Sequence, residues 1–132
     1  MIISHSSFHA GTTVSKQLLI MLSFTAVAGC TTMPTVEEAA LLDANTTALG
    51  LARGGVELNP LGPIGGVVVK ILYITEVFGQ RTVESDRFAT AVWTGAAANN
   101  IVGVLTLTPV LSLAAGVAVG RYVYTVLEQS GR

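Results

Sequence analysis

The chain has 132 residues, 51% of them hydrophobic and 11% charged, and a formal net charge of -1, whereas about a quarter of the residues in ordinary soluble domains are charged. Intrinsic disorder is excluded, because disordered chains combine low hydrophobicity with high charge. Nucleic acid is excluded as a partner, because no basic surface is available to neutralise phosphates. The lone cysteine permits neither an intramolecular disulfide framework nor a cysteine zinc cluster, and the composition points to a lipid bilayer as the surroundings.

The first element is KQLLIMLSFTAVAGC, Lys16 to Cys30. A lysine precedes about ten apolar residues, too few to span a bilayer but suited to the core of a signal peptide. His5 and His9 precede this run and read as leader residues rather than ligands. The stretch Val27-Ala28-Gly29-Cys30 resembles the lipobox of bacterial lipoproteins. That resemblance implies acylation of the Cys30 thiol, cleavage just before it, and an exported N-terminus at the bacterial inner membrane. Residues 1–29 are then a signal peptide and residues 30–132 a single helical domain.

Good helix formers predict a helix over 36–53, with Thr35 as N-cap, Glu37 and Glu38 in the first turn, and Gly54-Gly55 as the stop. GGVELNPLGP is loop. A second helix is expected over 63–79, with Pro60 or Pro63 in its first turn. The charged stretch QRTVESDR reads as a loop. From Phe88 to Gly120 the chain is uncharged over about 33 residues, too long for one span of roughly 20. Pro109 therefore divides a helix over 88–107 from one over 110–127.

The expected fold class is all-α: a small helical membrane bundle with three transmembrane helices and one amphipathic or half-spanning helix, 36–53. With an exported N-terminus, four full spans would leave only Arg53 of the arginines after Cys30 on the cytoplasmic side. Lys and Arg favour that side, so the first helix is expected not to span, which puts Arg81, Arg87, Arg121 and Arg132 at the cytoplasm.

Asp43, Thr46, Thr47 and Gly50 stand at i, i+3, i+4 and i+7, a polar stripe on one face of an otherwise apolar helix. Such a stripe faces either water or another helix. Lys70 lies mid-way along the second helix, where an ionisable group faces the bundle interior and finds a partner. Lys70 and Glu76 point about 120° apart and are not that pair, which leaves Asp43 or Glu57. Asn99 and Asn100 are candidates for interhelical hydrogen bonds. Ser112, Gly116 and Gly120, four apart, form a small-residue face for close helix packing within the bundle or between copies.

The pattern D-x-x-T-T followed by G-G-x-E-x-N-P-L is carried by Asp43, Thr46, Thr47, Gly54, Gly55, Glu57, Asn59, Pro60 and Leu61. It resembles a family of small prokaryotic multi-span membrane proteins of unknown function, and the paired asparagines are similar too. The resemblance implies a helical membrane fold and no established activity.

The expected role is structural or accessory, with the lipid bilayer and a membrane-protein partner or a second copy as surroundings. A transport or pore-forming, holin-like element would use Asp43, Lys70, Glu76 and the asparagines as a polar path. An intramembrane enzyme would need Asp43 and Glu57 as acid and base, without a histidine, cysteine pair or serine motif in support. No cofactor and no metal is expected.

Overall fold

The computed structural model describes residues 32–55, 61–106 and 108–132. Cys30, Glu57, Asn59 and Pro60 lie outside the described residues. Four helices follow in order: α1 (Val36–Ala52), α2 (Gly62–Ile74), α3 (Val83–Thr106) and α4 (Pro109–Gln129). The fold is all-helical, with no strand among the described residues.

Local chemistry sets the ends of these helices. Thr35 caps α1 reciprocally with Glu38: the Glu38 N–H donates to Thr35 Oγ1 at 3.2 Å, and the Thr35 N–H donates to Glu38 Oε2 at 2.8 Å. Gly54, with φ 81°, closes α1, its N–H bonding the Leu51 carbonyl while that of Gly55 reaches Gly50. Pro63 lies in the first turn of α2 and Pro109 in that of α4, where a missing N–H costs nothing.

Two boundaries differ from the sequence expectation. Helix α2 stops at Ile74 rather than Gly79, because Glu76 takes the left-handed conformation, φ 59°. The Glu76 N–H bonds the Tyr73 carbonyl at 3.1 Å and the Val77 N–H bonds that of Leu72 at 3.0 Å, a glycine-type stop made by a non-glycine residue. Helix α3 begins at Val83 rather than Phe88, inside the stretch expected to be loop. The Ser85 N–H donates to Thr82 Oγ1 at 3.1 Å and the Thr82 N–H to Ser85 Oγ at 2.9 Å, so a cap hidden among the charges starts the helix early.

These boundaries change the span count. At about 1.5 Å per residue, α3 is about 36 Å long and α4 about 32 Å, enough for a hydrocarbon core of about 30 Å, and both are apolar enough to cross it. With 13 residues, α2 reaches only about 20 Å. Among the described residues two helices, rather than three, have the length and composition of a span.

Helix α3 is the centre of the bundle, packed against α1 on one side and antiparallel α4 on the other. The α3–α4 crossing is close because it is made of glycines. A β-carbon on Gly95 would come within 2.6 Å of the Gly116 carbonyl oxygen, and one on Gly116 within 2.9 Å of both the Gly95 oxygen and Asn99 Cβ. Helix α2 lies against α1 and meets α3 through side chains: the rings of Tyr73 and Trp93 pack edge to face with centroids 5.5 Å apart.

Burial is inverted relative to a soluble bundle. Most buried residues are small or polar, among them Ala39, Ala97, Thr90, Thr94 and Ser112; Val36, Val123 and Leu127 are buried near the end where the first and third helices begin, and among the described residues no large side chain is fully buried. Ile64, Leu113, Val117 and Phe88 are instead 63–79% exposed.

The left-handed conformation of Glu76 carries a Cβ penalty that glycine lacks. Glu76→Gly is therefore expected to stabilise the protein by roughly 0.5–1 kcal/mol. Denaturant unfolding in detergent micelles would show this, and a loss of stability would mean that the Glu76 side chain holds a contact of its own.

Candidate functional site

The polar stripe of α1 faces inward. Asp43 and Thr46 are buried and Thr47 is half-buried, on the side of α1 that meets α2 and α3. Lys70 of α2 brings its Nζ to 2.9 Å from Asp43 Oδ2, with both side chains only about a tenth exposed. From α3, the Asn100 amide donates to Thr47 Oγ1 at 2.9 Å and to Asp43 Oδ1 at 3.2 Å, with Thr46 Oγ1 more distant at 3.4 Å. The Thr46 hydroxyl is itself a donor to the Leu42 and Asp43 carbonyls. With a carboxylate and two hydroxyls facing it, the amide must present its NH₂. Each Asp43 oxygen therefore has a donor from a different helix.

Lys70 is held from a second direction, its Nζ lying 5.8 Å from the centre of the Trp93 ring. Trp93 escaped the sequence reading, although the single tryptophan of an alanine- and threonine-rich helix was a usable signal. Tyr73, one turn after Lys70, packs on the same ring and donates its hydroxyl to Asp86 Oδ1 at 2.9 Å.

Asp86 opens a second polar network, at the end of the bundle where α1 and α3 begin. Arg81 grips both Asp86 oxygens, Nε at 2.8 Å and Nη2 at 2.9 Å, and donates from Nη1 to Glu37 Oε1 at 2.7 Å. One guanidinium thus ties α1, the loop after α2, and α3. This hydrogen bond from Arg81 holds the Glu37 carboxyl below its ordinary value, and the two carboxylates hold Arg81 protonated. On the neighbouring side Arg87 donates to Glu84 at 2.6 Å, and the Tyr124 hydroxyl of α4 donates to the same carboxylate at 2.6 Å.

The Glu37–Arg81 pair corrects the expected membrane sidedness. An arrangement with the start of the first helix outside and Arg81 in the cytoplasm would separate these two side chains by a bilayer, and they are in contact. Arg132, whose Nη1 donates to the Met33 carbonyl, lies at the same end.

The remaining candidates separate. Asn99 turns away from Asn100 and faces α4, its Cβ beside Gly116. Ser112, Gly116 and Gly120 line the α4 face against α3, opposite Gly103, Gly95 and Ala91, and the Ser112 hydroxyl returns to the Pro109 carbonyl at 2.9 Å. Among the described residues, no three His, Cys, Asp or Glu side chains gather in a way that could hold a metal ion. The cluster of Asp43, Lys70 and Asn100 is charge-neutral and joined to its own helices, and its chemical capacity is to clamp three helices together.

Removing one member of such a pair leaves a buried charge. Lys70→Met or Asp43→Leu alone should each cost about 3–5 kcal/mol, and the double variant should recover most of that loss. Thermal unfolding of the four proteins in one detergent closes the cycle, and additive losses would deny the coupling. The Arg81–Glu37 bond behaves differently with pH. The depressed Glu37 carboxyl contributes its stability in full above its ordinary value of 4.5 and loses it as pH falls through the lower folded value. Because Glu37 is half-exposed, wild type should exceed Glu37→Gln by less than about 1 kcal/mol at pH 7. Melting curves across the acid range should show that margin vanish.

Comparison with known protein families, with curated proteins and with solved structures found no match to this chain.

Proposed function

We propose that the chain is a small integral membrane protein with a structural or accessory role, packing against a membrane-protein partner. Helices α3 and α4 cross the bilayer, and α1 and α2 form a hairpin that dips into it from the face where α3 begins. The observation that carries this reading is the inverted burial: most large aliphatic side chains lie outside, and the interior is mainly small and hydroxyl-bearing, with Val36, Val123 and Leu127 as the aliphatic exceptions. In water that surface would be an aggregation hazard. In hydrocarbon it costs nothing, and small residues let helices approach closely.

The clamp supports the structural role. Asp43, Thr46 and Thr47, the D-x-x-T-T part of the pattern that resembles a small membrane protein family, are the residues that meet Lys70 and Asn100. About 10 Å beyond the start of α1, their partners neutralise what would otherwise be an isolated charge in the bilayer. Both chain ends of the described domain lie on one face, and acylation of Cys30 makes that the exported face of a bacterial inner membrane. Arg81 and Arg87 then stand outside, each paired with a carboxylate.

The test is topological. Protein resistant to carbonate extraction, with Gln80→Cys labelled in intact cells by a membrane-impermeant maleimide, is the expected result. Release by carbonate would sink the membrane reading, and labelling of Gln80→Cys only after cell lysis would reverse the sidedness. A solute flux through reconstituted wild type that Lys70→Met abolishes without unfolding would replace the structural role with transport.

A further inference from the structure

A groove of about 450 Å³ runs along the outer side of the α3–α4 crossing. Its floor is the close helix contact at Gly95, Gly116 and Gly120. Its walls are apolar: Phe88 and Val92 from α3, Leu113 and Val117 from α4. Two polar groups interrupt them. Arg121 stands at the end nearer Tyr124, and Asn99 lies about 8 Å further along the α4 axis, beside Gly116. Among the described residues, neither the Arg121 guanidinium nor the Asn99 amide has a hydrogen-bond or ion-pair partner. Glu84, the carboxylate bonded to Tyr124 at that end, is already neutralised by Arg87 at 2.6 Å.

We propose that this groove binds one anionic glycerophospholipid, an inference that rests on α3 and α4 being membrane spans. The order of groups along the groove matches that of the lipid from head to tail. The phosphate meets Arg121, the glycerol backbone lies over the glycines between Val92 and Val117, the Asn99 amide donates to an ester carbonyl, and an acyl chain runs on past Leu113. Charge complementarity selects this occupant over a second copy of the chain. A parallel two-fold contact through the groove would bring two Arg121 side chains together at one depth in a medium of low dielectric, with no carboxylate to separate them. A lipid phosphate supplies the missing counter-charge instead.

The experiment uses the purified full chain in detergent, titrated with phosphatidylglycerol or phosphatidylcholine and read by native mass spectrometry. One phosphatidylglycerol per monomer is expected, bound about fivefold more tightly than phosphatidylcholine, the ratio that one arginine contact with an anionic lipid provides. Arg121→Gln should bring phosphatidylglycerol down to the phosphatidylcholine level. Ala96→Leu, which fills the groove, should weaken both. Phosphatidylglycerol carrying a diazirine in mid-chain should cross-link beyond Asn99, within Val102–Thr106 or Pro109–Leu113. Both variants alter exposed or half-exposed positions, and unchanged helical circular dichroism would show that they fold. Equal binding of the two lipids, indifference to Arg121→Gln, or a protein dimer that excludes lipid would each overturn the proposal. Carbonate extraction keeps the two readings apart: a membrane-embedded protein with no lipid preference refutes the groove and leaves the spans standing.

Discussion

The contact between Asp43 and Lys70 decides how α1 and α2 are arranged against the rest of the bundle. Helix α2 has 13 residues and an apolar outer face, and nothing in its own sequence holds it upright. A lysine two turns from its start must either reach water or find an anion. The 2.9 Å pair with Asp43 provides the anion, and Asn100 fastens the same carboxylate to α3. Burying two charges is costly, so the pair adds little net stability over well-packed apolar residues. Its effect is on arrangement: any register of α1 and α2 that separates the two charges leaves both unpaired.

Around that point the other contacts divide by chemistry. At the end of the bundle where α1 and α3 begin, a single arginine bridges Glu37 and Asp86, and a tyrosine and an arginine share Glu84. In the middle, α3 and α4 approach through backbone proximity at Gly95, Gly116 and Gly120. The same three glycines also line the groove on the outer side of that crossing.

Much of the local structure was legible in the chain itself. Thr35 and Glu38, Gly54 and Pro109 announce their helix ends by residue type, because capping depends on side chains within four residues. Where the sequence reading slipped, the cause was also local. Glu76 adopts a conformation that glycine normally marks, and the Thr82–Ser85 cap is masked by the charges around it. The earlier end of α2 leaves that helix, at 13 residues, shorter than the expected span.

Composition and periodicity by themselves determined that the chain is helical, that its surface is suited to hydrocarbon, and that Asp43, Thr46 and Thr47 share a face. Each of these follows from residue type and from the 3.6-residue repeat, which operate over a single helix. Which helix the stripe meets, that neighbouring Asn99 and Asn100 face different helices, and that Glu37 stands beside Arg81 across 44 positions were decided only by the tertiary structure. The physical reason is rotation and register. A helix fixes the angle between its own side chains, but its turn toward a neighbour is set by the sum of contacts along the whole interface, and a rotation of about 100° exchanges Asn99 for Asn100.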